Sequence, residues 1–418
     1  MRRKRAVRRA ERDAWADLPE WPTTVMGGKY VRMLEQHVRK LRAGQHGNRQ
    51  LFLDDVFIAL LLSFFNATIR SLRTLEDFSQ TRQAQQFLSV TKICRSTMSD
   101  FNRLIDPALL EPLIARLLAE VRQRCGPGEL PDLPRGLQTI LAVDGSFFRV
   151  AADVAWAFKK RTHSGRPPKA GVRLDVHLDV ATWLPTVMDV SGRDVSEAEH
   201  AAAHLTPGAI HVYDRGIFSF ELLEKQHAAG AFFVHRLREP SVRTPQFVPR
   251  EARALSDEDR AAGVVSDDVG RMAGSTHRAA PDLELREIVV TSPDEPDRQV
   301  RLLTNLLEQP AWAIGLIYRY RWQVELFFRW LKVTANFRHL ISESRAGVLL
   351  SFQVTLIGVL LQCAHTGATL NKYAYNLLGM VAAGQGTLAD ILPIIVERNR
   401  QIAVDKASLA RRRAKKQA

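Results

Sequence analysis

Three carboxylates stand out by the company they keep. Asp144 lies in "VDGS", Asp214 in "YDRG", and Glu325 in the aromatic and cationic stretch "YRYRWQVELFFRWLK" from Tyr318 to Lys332. An acid before glycine at the end of a strand is ordinarily a turn-former. Glu325 has Arg321 and Arg329 one helical turn away, the spacing of an internal salt bridge. If the fold brings the three acids together, they repel one another unless protons or divalent cations intervene. Hard carboxylate oxygens suit Mg2+ or Mn2+, and two such ions can activate a nucleophile and stabilise the leaving oxygen of an in-line phosphoryl displacement. The candidate catalytic and metal-binding set is therefore Asp144, Asp214 and Glu325, with two ions. Wound at about 100° per residue, Tyr318, Arg321, Glu325 and Lys332 fall within an arc of roughly 60°. Tyr318, Arg321 and Lys332 are thus candidate ligands for a phosphate beside the acid. Trp322, Val324, Leu326, Phe327, Trp330 and Leu331 form flanks expected to be buried.

The elements that must position these residues can be read from texture. From Asp54 to about Val121 the pattern is helical. Within it "QQFLSVTKICRSTMSDFNRLI" reads as helix, turn, helix, with Ser96 capping the second helix and Arg95, Ser99, Asn102 and Arg103 able to face a DNA groove; a plain packing hairpin is the alternative. "GPGELPDLPRG" marks a boundary. Then "LQTILAVDGS", "VRLDVHLDVAT" and "LPTVMDVSG" read as strands, the first ending at Asp144. A helix follows at "SEAEHAAAHL", boxed by Ser196 and Glu199. "AIHVYDRGIF" is a fourth strand and "GAFFVHRL" a fifth, after a helix near "FELLEKQHAA". Three strands, helix, strand, helix, strand is the order of a ribonuclease-H-like α/β fold, in which the first and fourth strands are neighbours and acids at their ends converge. A polar stretch then leads to "LELREIVVTS" and "RQVRLLTNL", a β-rich insertion with a mobile tip. The expected division is a helical DNA-binding region at 1–134, a ribonuclease-H-like core at 135–237 and 306–350, the insertion at 238–305, and a helical region with a basic tail at 351–418.

Composition narrows the partner. The 418 residues are 46% hydrophobic, which excludes a disordered chain, and carry a formal net charge of +14, favouring a polyanion, nucleic acid before membrane surface. The N-terminal "MRRKRAVRRAERD" and C-terminal "ARRRAKKQA" read as DNA-contacting arms or solvated tails, and the loop "KKRTHSGRPPKAG" as a DNA-backbone contact. Cys94, Cys125 and Cys363 are too scattered for a zinc set or a disulfide framework and imply a reducing compartment. "VFIALLLSFF" and "GVLLSFQVTLIGVLLQC" are too short or too interrupted by polar residues to span a bilayer, and read as core helices. "DVHLDV" places Asp175, His177 and Asp179 on one strand face, read as solvated or DNA-facing because Leu174, Val176, Leu178 and Val180 make the buried face. His211 and His339 adjoin the motifs, yet two-metal chemistry requires no histidine.

The spacing Tyr, two residues, Arg, three residues, Glu, six residues, Lys resembles the signature of IS4-type insertion-sequence transposases. Tyr318, Arg321, Glu325 and Lys332 match it without a gap, and Asp144 and Asp214 stand where the first two acids of that family's DDE set stand. The resemblance implies a DNA transposase: Asp144, Asp214 and Glu325 binding two Mg2+, cleavage at element ends, a hairpin intermediate and joining to target DNA. By the same implication Tyr318, Arg321 and Lys332 hold a phosphate near the element's 5′ end. It also implies double-stranded DNA as partner, at least a dimer in the synapse, no membrane, and a bacterial cytoplasmic location at the nucleoid. Hairpin-forming relatives stack a flipped base on a tryptophan of the insertion. Here none lies between Asp214 and Trp312, leaving Phe232, Phe233 or Phe247 as the stacking surface. A ribonuclease-H-like nuclease and a catalytically silent DNA-binding derivative are the alternative readings.

Overall fold

The computed structural model describes residues 28–38, 51–66, 68–126, 132–150, 154–160, 169–239, 246–274, 279–291, 298–333 and 340–367, with shorter stretches and single positions up to 404. Both basic termini, His339 and residues 161–168 of the basic loop lie outside the described residues. The chain divides into two compact units, Met1–Gly126 with Leu331–Arg411, and Pro127–Trp330 with Arg412–Ala418.

The first unit is helical. It contains α1 (Gly28–Val38), α2 (Leu53–Phe65), α3 (Leu72–Ser79), α4 (Arg82–Gln85), α5 (Arg95–Leu104), α6 (Glu111–Cys125) after a 3-10 turn, and α12 (Arg345–Thr366). Helix α12 packs against α1, α2, α5 and α6. By length and composition it could cross a membrane, but 89% of its most apolar window is buried within the fold. Two of its polar residues fit that burial because they bond to their own helix: Ser351 Oγ donates to the Gly347 carbonyl at 2.8 Å and Thr355 Oγ1 to that of Ser351 at 2.9 Å. At its C-terminal end Arg124 of α6 donates to the Ala364 carbonyl, one of the acceptors a helix end leaves unpaired.

The expected helix-turn-helix is altered in two respects. Its first member is the four-residue α4, and α5 begins at Arg95 with Cys94 rather than Ser96 at the cap position. Arg95 and Arg103 are exposed, whereas Asn102 is buried. With its backbone carbonyl bonded by Ser344 Oγ at 2.7 Å, Asn102 belongs to the packing side of α5 and cannot face a groove.

The second unit is built on a mixed ten-stranded sheet flanked by helices. The strands are β1 (Ile140–Val150), β2 (Phe158–Lys160), β3 (Lys169–Asp179), β4 (Leu184–Ser191), β5 (Ile210–Tyr213), β6 (Phe232–Arg236), β7 (Phe247–Ala252), β8 (Val264–Met272), β9 (Leu285–Thr291) and β10 (Gln299–Thr304). They run in the order β2-β3-β1-β5-β6-β10-β9-β8-β7, with β4 also pairing β3. β1, β3 and β4 pair antiparallel, whereas β5 and β6 run parallel to β1. Helices α7 (Glu197–Ala203) and α8 (Phe220–Ala228) make the crossovers, and Ser196 and Glu199 close the expected capping box on α7. Asp144 is not at a strand end as expected: β1 leaves β5 after Val143 but continues beside β3 to Val150.

The polar stretch 246–274 is regular, forming β7, the short α9 (Asp257–Ala261) and β8. Together β7 to β10 extend the same sheet through β6, and they also fix the next helices, α10 (Ala311–Tyr320) and α11 (Trp322–Val333). Asp259 of α9 accepts the Trp312 N–H at 2.8 Å, satisfying an orphan donor of the first turn of α10. Arg286 of β9 is almost fully buried and makes two 2.6 Å bonds to Asp267 of β8. Its remaining donors reach the Leu306 and Gln309 carbonyls in the approach to α10.

Removing one partner of such a pair strands a buried charge, at a cost of about 3–5 kcal/mol. Arg286→Leu is expected to destabilise the sheet unit by that amount in denaturant unfolding, and Arg286→Leu with Asp267→Leu by less. Equal stability of the single variant and wild type would show that the pair does not anchor β8 and β9 to the approach of α10.

Candidate active site

Parallel pairing brings the first two acids together. Val143 of β1 lies opposite Tyr213 of β5, and Tyr213 opposite His235 of β6. The next residue on each strand is therefore Asp144, Asp214 and Arg236, a row across three neighbouring strands. Asp214 accepts the Tyr318 hydroxyl at 3.2 Å and lies 3.6 Å from Arg236 Nη1. Asp144 accepts the Gly145 N–H at 2.9 Å. Glycine keeps the space there open: a Cβ would stand 2.8–2.9 Å from the side chains of Arg173, Asp175 and Glu197, which would have to shift.

The third acid arrives on a broken helix. The stretch expected as one helix is two, joined at Arg321, where the Arg321 N–H bonds the Tyr318 carbonyl and the Val324 N–H bonds that of Arg321. Across this tight turn Arg321, only 8% exposed, donates from Nη2 to Glu325 Oε1 at 2.6 Å and places Nη1 3.9 Å from Asp144 Oδ2. Its guanidinium lies 5.8 Å from the Tyr318 ring centroid. Of the two cations one turn from Glu325, Arg321 is thus the one seen to pair with it. Lys332 stands on the last turn of α11 and falls in the helical unit. Val324, Phe327, Trp330 and Leu331 are buried as expected, but Trp322 is half exposed, because the turn at Arg321 shifts the phase of the wheel.

The electrostatics follow from this crowding. Burial pushes Asp144 up to about 7, opposed by Arg321 and the Gly145 N–H and reinforced by Glu197 and Glu325. Burial also raises Asp214, but the Arg215 N–H, Arg321, Arg236 and the Tyr318 hydroxyl outweigh it and hold that carboxyl below the ordinary range. Glu197 is raised by burial against the pull of Arg173, with Asp175 and Asp214 adding repulsion. Glu197 and Arg236 were missed by sequence reasoning. Arg236 follows from the strand register that aligns Asp144 with Asp214. Glu197 was hidden inside a capping box whose obvious members are Ser196 and Glu199.

The reading of "DVHLDV" as a solvated face is overturned: Asp175, His177 and Asp179 are all buried. The side of β3 that they occupy is covered by α7, and Asp175 pairs with Arg173 at 2.7 Å. His177 has no exposure, and its ring lies 5.6–6.0 Å from those of His200, His204 and His211. Burial and these neighbours hold His177 far below the ordinary histidine range. Among the described residues, one group of ligand atoms is close enough to hold a metal ion, Asp189, His200 and His204, all within 4.8 Å of one another. The three carboxylates are not drawn together to that degree, and Arg321 reaches two of them. Of the phenylalanines expected to offer a stacking surface, Phe233 and Phe247 are buried in the core beside β5. Only Phe232 is partly exposed.

Residues 135–360, more than half of the chain, match the family model described as Transposase DDE domain. Similar proteins include "Putative transposase y4zB" of Sinorhizobium fredii, 28% identical over 209 residues covering 50% of this chain and 56% of that protein. "Transposase InsG for insertion sequence element IS4" of Escherichia coli is 25% identical over 253 residues, 58% of this chain and 54% of that protein. "Probable transposase for insertion sequence element IS5377" of Geobacillus stearothermophilus is 26% identical over 227 residues, 54% and 55% of the two chains. The chain spans about half the length of the curated relatives it matches.

An acid whose folded pKa is raised contributes no penalty below its unfolded value, about 3.9, and destabilises the fold as pH rises toward about 7. At about 1.4 kcal/mol per unit the cost above pH 7 is at most about 4 kcal/mol. Asp144→Asn should therefore match wild type near pH 4 and exceed it in stability at pH 8, measured by denaturant unfolding in chelator. A difference that does not grow with pH would show that Asp144 ionises as an ordinary carboxylate.

Proposed function

We propose, on the premise that this chain belongs to the DDE transposase family and is related to IS4- and IS5-type insertion-sequence transposases, that it moves DNA by cut-and-paste. Water attacks a phosphodiester at each element end, releasing a 3′-hydroxyl. That hydroxyl then attacks further phosphodiesters, forming one P–O bond as another breaks. The observation that carries the reading is the β1–β5 register that sets Asp144 beside Asp214, together with an arginine that lies 3.9 Å from Asp144 and bonds Glu325. The strand order β4-β3-β1-β5-β6, three antiparallel and two parallel, supports a ribonuclease-H-like core.

The donor set fits hard divalent cations. A carboxyl raised to about 7 among other acids gains most from a cation, and carboxylate oxygens suit Mg2+ or Mn2+. Asp144, Asp214 and Glu325 would hold two such ions, which supply activation of the attacking oxygen and neutralisation of the leaving one. Arg321 counters the charge of the acids and, with Tyr318 and Lys332, would turn to a backbone phosphate when DNA enters. Glu197 and Arg236 set the local field. In this reading residues 1–134 bind element ends, with exposed Arg103 at the groove, 135–237 and 306–350 form the core around the 238–305 insertion, and 351–418 complete the helical region. Double-stranded DNA is the partner, and two ends require at least two copies in the synapse.

Asp144→Asn, Asp214→Asn and Glu325→Gln should each abolish Mg2+-dependent nicking of end DNA while binding stays near wild type. Substantial residual cleavage by one would remove that residue from the site. Arg321→Ala and Lys332→Ala should keep first-strand nicking better than joining, because positioning a strand matters most in later steps. If Arg321→Ala instead loses nicking as completely as Glu325→Gln, the arginine serves the acid and not the phosphate.

A further inference from the structure

We propose that Asp189, His200 and His204 bind one borderline divalent cation of the zinc class, forming a structural clip that is separate from the acidic site. His200 lies on α7 and His204 caps it, four residues apart and so on one face, while Asp189 belongs to β4. His200 Nε2 stands 3.6 Å from Asp189 Oδ2. Two ligands on tetrahedral zinc are about 3.3 Å apart, so this pair is near ligand spacing, and the group as a whole closes from within 4.8 Å by side-chain rotation.

The outer bonds are those that ligands need. His204 Nδ1 bonds the His200 carbonyl at 3.0 Å. With Nδ1 as donor, the tautomer leaves Nε2 free to coordinate, the usual support for a metal-bound histidine. Asp189 Oδ1 accepts the Val190 N–H at 2.7 Å, leaving Oδ2 facing His200. The His200 and His204 rings stack with centroids 4.3 Å apart.

The independent sign is His177. It is fully buried, neither ring nitrogen has a hydrogen-bond partner, and its ring lies 6.0 Å from both His200 and His204. An imidazole buried with both nitrogens unsatisfied is costly, and a cation among these rings gives it a reason to be there as the fourth ligand. Two imidazoles sharing one tetrahedral ion have centroids about 5 Å apart, a short step from 6.0 Å. Imidazole-rich ligation favours zinc-class ions over Mg2+. The clip would fasten α7 to the sheet, and with it Glu197, whose carboxylate abuts Gly145 beside Asp144.

Co2+ in place of zinc reports the geometry, because tetrahedral Co2+ absorbs visible light far more strongly than six-coordinate Co2+. Full-length protein stripped with chelator and titrated with Co2+ should show one intense tetrahedral site, displaced by Zn2+. His204→Gln and Asp189→Asn, with circular dichroism showing an intact fold, should lose the band and weaken Zn2+ binding at least about tenfold. The triple variant Asp144→Asn, Asp214→Asn, Glu325→Gln should keep both. No intense band, or a band that survives His204→Gln and Asp189→Asn but disappears in the triple acid variant, would overturn the proposal. The latter result would leave the acidic metal site standing, so the two readings fail separately.

Discussion

The parallel register of β1, β5 and β6 is the constraint on which the site depends. Three hydrogen-bonded strands with Val143, Tyr213 and His235 in line present Asp144, Asp214 and Arg236 side by side, Asp214 directly after the end of β5. The apolar residues before the acids, Ile140 to Val143 and Ile210 to Tyr213, are buried. The same core that stabilises the sheet therefore fixes the spacing of the charges. A one-residue slip would turn every side chain to the opposite face, so packing and placement cannot be separated.

Everything else answers the repulsion that this register creates. Arg321 is buried between acids, and the tight turn at its own position is what lets one guanidinium reach both Asp144 and Glu325. That turn is supported at a distance: Asp259 caps α10 and Arg286 holds the approach to it. Strands β8 and β9 with α9 thus support the start of the helices that carry Tyr318, Arg321 and Glu325. Asp144 and Asp214 end with opposite shifts because Asp144 is buried more deeply, while Asp214 has Arg236, Tyr318 and the Arg215 N–H besides Arg321. Two neighbouring carboxylates thereby hold protons differently.

Much of this was legible in the sequence because periodicity and strand order are local signals. The core strands, their order and the neighbouring of the first and fourth follow from alternation and turn residues, and the acid motifs follow from that order. Three features were not legible. The burial of Asp175, His177 and Asp179 depends on α7 covering a second face of β3, and alternation of apolar residues on one face says nothing of what covers the other. The break at Arg321 leaves no glycine or proline behind, so "YRYRWQVELFFRWLK" reads as unbroken helix and Trp322 as buried. Asn102 lies on the buried side of α5, whose backbone there is bonded by Ser344, 242 residues away, a contact no local pattern encodes.

Asp144, Asp214 and Glu325 are proposed to form one cation-binding unit. Fe2+ in place of Mg2+, with ascorbate and peroxide, cuts the backbone nearest the bound ion, and mass spectrometry of the fragments locates the cuts. Clusters of cuts around residues 144, 214 and 325, suppressed together by excess Mg2+, are expected. Cuts confined to the neighbourhood of 189–204, or clusters at only one of the three acids, would contradict the proposal.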